Sequence, residues 1–112
     1  MSETALVKAC LVWLRLHGVM AWRQNTGAMT VQARGQRSRF IRFGMVGASD
    51  IFGVFRGRFL AVECKRPSNT PTWAQEQFLQ EARDHGAWAV WVTSVEDLER
   101  FWNKELADAP TH

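Results

Sequence analysis

Apolar positions change their spacing repeatedly along this chain, and each change marks an element. Near the N-terminus Leu6, Ala9, Cys10, Trp13 and Leu16 recur at helical spacing. Ser2 is a natural N-cap and Gly18 a natural stop, which predicts a first helix over Glu3–His17. Short extended stretches follow around Val19–Arg23, Met29–Ala33 and Arg39–Phe43, with a turn at Arg34-Gly35-Gln36. Asp50–Phe55 and Phe59–Cys64 are apolar runs joined through Arg56-Gly57, the pattern of a tight hairpin. The segment Pro67-Ser68-Asn69-Thr70-Pro71 reads as a loop. Thr72 then opens a second helix, Gln75 completes a capping-box pattern, and Trp73, Leu79 and Ala82 are expected to face inward. Gly86 ends that helix. Ala87–Val92 is apolar throughout and predicts a central strand. Ser94, with Asp97 three residues on, caps a last helix carrying Val95, Leu98, Phe101 and Trp102. Residues past Leu106 read as a tail.

The order is therefore helix, several strands, helix, strand, helix, roughly α-β-β-β-α-β-α. A strand, helix, strand crossover from Phe59–Cys64 to Ala87–Val92 normally pairs its strands in parallel. The expected fold class is α/β, a mixed sheet flanked by helices. One domain is expected over residues 1–106, with a flexible tail over 107–112. The 112 residues suffice for one core, and 46% hydrophobic with 22% charged residues exclude a disordered chain.

Charge changes the picture more than composition does. The net charge of +3 is modest, but Arg34, Arg37, Arg39 and Arg42 fall within nine residues that contain no acid. Such a block is either a phosphate-facing patch or a solvated hairpin. Two cysteines, Cys10 and Cys64, make no disulfide framework and no zinc pattern, and are read as reduced buried thiols. No signal peptide or long apolar run appears, so no membrane contact and a cytoplasmic location are expected.

Candidate chemistry concentrates where charge interrupts the most apolar strands. Asp50 opens the first hairpin strand; Glu63 and Lys65 end the second and, two apart, share a face. Hairpin pairing can bring Asp50 beside them. Two such carboxylates repel unless a cation lies between them, and Mg²⁺ or Mn²⁺ suits oxygen ligands of this kind, with the Cys64 backbone carbonyl as a further hard oxygen. Lys65 would then stabilise charge on a phosphate. An ordinary Glu63–Lys65 ion pair with Asp50 as a turn residue is the plain alternative. Glu3 lies on the stripe of Leu6 and Cys10 and could reach a second ion or an ion's water, or merely suit the helix N-terminus. Gln75 has a capping role and, alternatively, a bond to a water or phosphate. Arg23 and Asn25 follow a tryptophan, Trp22, expected to be core, and stay open as DNA contacts. His17 and His85 sit in last helical turns, where a cation suits the dipole.

Gly47-Ala48-Ser49-Asp50-Ile51, then Glu63-Cys64-Lys65-Arg66-Pro67, then Gln75, together resemble the PD-(D/E)xK nuclease superfamily. Within it the chain looks most like a stand-alone VRR-NUC domain, the virus-type replication-repair nuclease. Early Glu3, the stretch Trp22-Arg23-Gln24-Asn25 and the approach Gly86-Ala87-Trp88-Ala89 to the next strand add to the likeness. The resemblance implies a restriction-endonuclease-like fold, with Asp50, Glu63 and the Cys64 carbonyl as metal ligands and Lys65 as the catalytic lysine. It also implies accessory roles for Glu3 and Gln75. Stand-alone members are small bacterial or phage proteins, and some act as homodimers on branched DNA such as four-way (Holliday) junctions. Residue 49 is Ser where the superfamily name has Pro.

The leading expectation is thus an endodeoxyribonuclease dependent on one or two Mg²⁺ or Mn²⁺ ions, cutting structured DNA as a homodimer in a bacterial cell or phage-infected host. Repair of branched DNA is the matching context. Arg23, Asn25, Arg34, Arg37, Arg39, Arg42 and Arg66 are the expected DNA contacts. A non-catalytic nucleic-acid-binding module, or a nuclease acting on flap, nicked or RNA substrates, are the alternatives.

Overall fold

The computed structural model describes residues 1–24, 27–31, 35, 39–43 and 45–111; within 27–31 and 39–43 only the backbone is described. The elements are α1 (Glu3–Leu16), β1 (Met20–Arg23), β2 (Gly27–Val31), β3 (Arg39–Phe43), β4 (Ile51–Phe55), β5 (Arg58–Cys64), α2 (Trp73–Asp84), β6 (Trp88–Val92) and α3 (Val95–Glu105). Each helix begins at the expected cap: Ser2, Thr72 and Ser94 accept from the backbone N–H three residues on. Arg56 and Gly57, at φ 51° and 78°, form the hairpin turn between β4 and β5.

Four strands make one sheet in the order β1-β4-β5-β6. β1 and β5 both run antiparallel to β4, and β5 runs parallel to β6 across the α2 crossover. Two sequence expectations need correction. All five expected stretches before α2 are strands, two more than the rough order α-β-β-β-α-β-α counts, and β2 and β3 pair with each other in a separate two-stranded sheet. β6 is an edge strand of the main sheet, not a central one. Its continuous apolar run comes from helices on both faces, not from strands on both sides. β5 is the central strand buried on both faces, Leu60 through Cys64 without a break.

The faces of the sheet carry different cores. Ile51, Phe55, Leu60, Val62, Cys64, Trp88 and Val92 point to α1 and α3, where they meet Leu6, Val7, Cys10, Leu14, Leu98 and Trp102. Ala61 and Ala89 point the other way, onto Leu79 of α2, with Phe52, Phe78 and Ala82 alongside. In α1 the inward stripe is Leu6, Val7, Cys10 and Leu14; Leu16, expected inside, is exposed because Leu14 occupies that turn of the core face. Past Leu106, Ala107 and Ala109 still pack partly against the core, and the Arg56 guanidinium donates to the Ala109 carbonyl. Cys10 and Cys64 are free and fully buried.

Candidate active site

The hairpin register creates the site. Ile51 pairs with Val62, so the next pair outward is Asp50 with Glu63, at the end opposite the Arg56-Gly57 turn. Both carboxylates lie on the α2 face, in line with Phe52 and Ala61. The Cys64 backbone N–H donates to Asp50 Oδ2 at 2.9 Å, which fixes that carboxylate across the strand pair. Gln24 N–H donates to the Asp50 carbonyl at 2.7 Å and ties β1's exit to the same place.

Glu63 is buried at 2% exposure, with Asp50 on one side and Trp91 in register on the other. Its Oε2 is buried without a hydrogen-bond partner among the described residues. Burial, and then the Asp50 carboxylate beside it, push the Glu63 carboxyl up to about 9; Lys65 opposes the shift and Glu3 adds to it. At neutral pH the unliganded site therefore holds Glu63 protonated. A buried carboxyl with an orphaned oxygen beside a second carboxylate is an unfinished arrangement in electrostatic terms, and a cation completes it.

Lys65 continues the β5–β6 ladder one residue past the strand, its N–H donating to the Val92 carbonyl at 2.9 Å. Its Nζ donates to Gln75 Oε1 at 3.1 Å. The same Oε1 accepts from the Thr72 backbone N–H at 2.8 Å, and Thr72 Oγ1 accepts from Gln75 N–H at 3.2 Å. Capping and site roles of Gln75 are thus one geometry, since a capping glutamine has its carbonyl oxygen already aimed at the helix entrance. Gly47 holds this helix end against the Asp50 loop. Its φ is +79°, and a Cβ there would sit 2.4 Å from the Ala74 carbonyl oxygen, so only glycine permits the approach.

Glu3 lies in the first turn of α1, half-buried, and bears on Glu63 through charge alone. Among the described residues no three His, Cys, Asp or Glu side chains converge as a complete metal cage. The carboxylates brought together are Asp50 and Glu63. Two carboxylates with waters filling the remaining positions is how Mg²⁺ is commonly held, so these residues fit a hard divalent ion.

Arg66 is exposed directly after Lys65. Arg23 is exposed at the end of β1, in register with Ile51 and therefore on the sheet face opposite Trp22. The Trp22 ring packs edge-on to Phe52 and its Nε1 donates to Gln24. Asn25, Arg34 and Arg37 lie outside the described residues; Arg39 and Arg42 belong to β3, of whose side chains nothing is described. His17 and His85 both bond the carbonyl four residues back, as helix-ending residues.

Two residues of this neighbourhood escape sequence reasoning. Ser49 is fully buried with its Oγ unpartnered among the described residues, and a serine before an aspartate carries no signal of that. Trp73, expected inside, is 76% exposed. Helical spacing could have placed it: Trp73 shares its stripe with Gln77, Gln80 and Asp84, all exposed, whereas Leu79 shares its own with Gln75 and Ala82. Compared with known proteins, the chain matches no family model and no curated protein.

Proposed function

We propose that the chain is a metal-dependent endonuclease acting on DNA, with Asp50, Glu63 and Lys65 as its catalytic set. The observation that carries this reading is the Asp50–Glu63 pair at the open end of the hairpin, one oxygen of it buried and unpartnered among the described residues, with Lys65 held beside it by Gln75. A lone binding module has no use for two carboxylates facing phosphate.

Asp50, Glu63 and the Cys64 carbonyl would hold Mg²⁺ or Mn²⁺, one or two ions, with Glu3 reaching a second ion or an ion's water. When bound, such an ion neutralises charge on a phosphodiester and makes water acidic enough to attack it. Asp50 is preoriented by the Cys64 N–H, and Glu63 would release to solvent the proton that burial leaves on it, freeing its carboxylate to hold the ion. Lys65 donates to a non-bridging phosphate oxygen, where its charge counts most as negative charge builds in the transition state. Gln75 positions Lys65 and shares the role with capping. Arg23, Asn25, Arg66 and the Arg34–Arg42 block are the proposed phosphate contacts, a set that reads shape and backbone more than sequence. The substrate proposed is structured or branched DNA, four-way junctions included, cut by a homodimer whose two-fold axis relates two sites. The cytoplasm is the proposed compartment; among the described residues no helix is long and apolar enough to cross a membrane.

The test is cleavage of labelled four-way-junction, flap, nicked and linear duplex DNA, and of an RNA counterpart, with Mg²⁺, Mn²⁺ or EDTA. Lys65→Ala should cut at least about 100-fold more slowly than wild type, the usual cost of losing one donor to transition-state charge, while still binding DNA. Binding with no cutting in either metal would replace the enzyme by a binding module; faster cutting of RNA would reassign the substrate.

A further inference from the structure

We infer that the cavity between α2 and the outer edge of β6 takes an unpaired guanine of the DNA strand held at the carboxylates, an inference that rests on the nuclease reading above. The cavity has a volume of about 320 Å³ and is lined by Glu76, Gln77, Leu79, Gln80 and Arg83 of α2 and by Trp91 of β6. Its size stands at the small end of ligand sites.

Strand register puts this cavity beside the candidate site. Ala89 packs on Leu79 under α2, so Trp91, two residues on, belongs to the same face of the sheet. Trp91 pairs with Glu63, which sets it one strand spacing, about 4.8 Å, from the residue that carries the buried carboxyl. Trp91 is thus the wall between Glu63 and the cavity. On α2, Glu76, Gln80 and Arg83 recur at helical spacing along the flank toward β6, and Glu76 directly follows Gln75, the acceptor for Lys65 Nζ. A strand whose phosphate lies at Asp50 and Glu63 therefore has this opening on its β6 side.

The lining selects the occupant. Leu79 and the Trp91 indole supply apolar walls, which suit a flat ring taken out of its stack. Charges of both signs are present, which favours neither an anion nor a cation but a neutral group with acceptors at one edge and donors at another. The two signs stand at opposite ends, because Glu76 and Arg83 are seven residues, about 10.5 Å, apart along the helix. Arg83 is fixed there by its Nε, which donates to the Ala89 carbonyl at 2.9 Å, and its guanidinium has further N–H donors. Guanine matches this polarity: O6 and N7 accept from an arginine, while N1–H and the N2 amine donate to a carboxylate. Adenine has an amine where guanine has O6 and meets Arg83 with a donor. Pyrimidines are one ring shorter and do not span both ends. Duplex DNA keeps its guanines paired, whereas a branch point, flap or nick frees one at the smallest cost. The cavity thereby adds one base to a recognition otherwise directed at the backbone.

The experiment measures binding, in EDTA, of branched oligonucleotides that carry one unpaired guanine, adenine, cytosine, thymine or hypoxanthine at the branch. Cleavage of the same DNAs is followed in Mn²⁺. Wild type is compared with Glu76→Gln, Trp91→Ala, Trp91→Phe and Lys65→Ala, with thermal unfolding of each as the control for folding. Wild type should bind the guanine substrate about ten-fold more tightly than adenine, cytosine or thymine, within the range for one bidentate base contact. Hypoxanthine, which lacks the N2 amine, should fall between. Glu76→Gln should erase the difference between guanine and hypoxanthine and still fold, since Glu76 is exposed. Trp91→Ala should lose most of the preference, and Trp91→Phe and Lys65→Ala should keep it. Equal affinity for all five bases, or preference for another base, with metal-dependent cutting intact would overturn the guanine site and leave the nuclease standing. A guanine preference lost in Glu76→Gln, without cutting by wild type, would do the reverse. A guanine preference untouched by Glu76→Gln would put the base elsewhere and overturn the inference. Absence of DNA binding in every variant would overturn both readings.

Discussion

On the face of the sheet covered by α1 and α3, four elements contribute large side chains that are almost completely dry: Leu14 from α1, Ile51 from β4, Leu60 and Val62 from β5, Leu98 from α3. On the face covered by α2, the fully buried set is Ala61, Leu79 and Ala89, with phenylalanines half-open to solvent around it. The first face ends in apolar packing. The second ends in Asp50, Glu63, Lys65 and Gln75. Cohesion and the candidate site are thus separated by the pleat: alternate residues of the same two strands serve one or the other. The separation allows Glu63 to stay buried and poorly satisfied, because the opposite face supplies the stability that such a group subtracts.

The largest expected effect tests that subtraction. An unfolded glutamate loses its proton near pH 4.5, whereas folded Glu63 keeps one to about 9. Between those values the folded state binds one more proton than the unfolded, so stability is highest at the acid end and falls as pH rises. The slope approaches about 1.4 kcal/mol per pH unit while the difference persists, which amounts to several kcal/mol across the window. Urea unfolding in EDTA from pH 5 to 9 should show this decline for wild type. Glu63→Gln, which needs no proton, should diverge upward as pH rises. Mn²⁺ should restore much of the loss at pH 8 in wild type and little in Asp50→Asn. Parallel pH curves for wild type and Glu63→Gln would mean that Glu63 ionises normally and that the site is no cation cradle.

A smaller effect measures the cohesive face directly. Leu14 is fully buried among residues of both helices and the sheet, so Leu14→Ala should cost about 2–5 kcal/mol. Phe78 on the other face lines an open apolar groove with Met45, Phe59, His85 and Ala87, and Phe78→Ala should fall below that range because water already reaches the ring. Equal losses in chemical denaturation would erase the distinction between the faces.

The sequence made the hairpin, the helix caps and the Asp50–Glu63–Lys65 grouping readable, because each is local: turn chemistry, a three-residue cap, or a one-step register fixed by the turn. Placement across the sheet was less readable. Ala87–Val92 looks central by hydrophobicity, yet an edge strand covered on both faces by helices has the same pattern. Leu16 and Trp73 were assigned inward by residue type, and in both cases the helical phase of buried neighbours, Leu14 and Leu79, points elsewhere. The orphaned oxygens of Ser49 and Glu63 depend on what fails to surround them, which no one-dimensional pattern encodes.

The smallest effect separates cap from site within a single residue. Thr72 and Gln75 bond reciprocally, but only Gln75 also accepts from Lys65. Thr72→Ala should therefore cost about 1 kcal/mol, the usual value of an N-cap, and leave Lys65 with its Gln75 partner. Gln75→Ala should cost no more in stability, since it loses the weaker half of the same box. It should in addition release the lysine and lower metal-dependent cleavage by roughly ten-fold, about 1.4 kcal/mol of lost positioning. Gln75→Glu keeps an oxygen acceptor in place for both donors and should recover the cap and most of the rate. If instead Thr72→Ala and Gln75→Ala slow cleavage equally in proportion to the stability each loses, Gln75 acts on the site only by holding the helix end, and Lys65 needs no guide beyond its own strand.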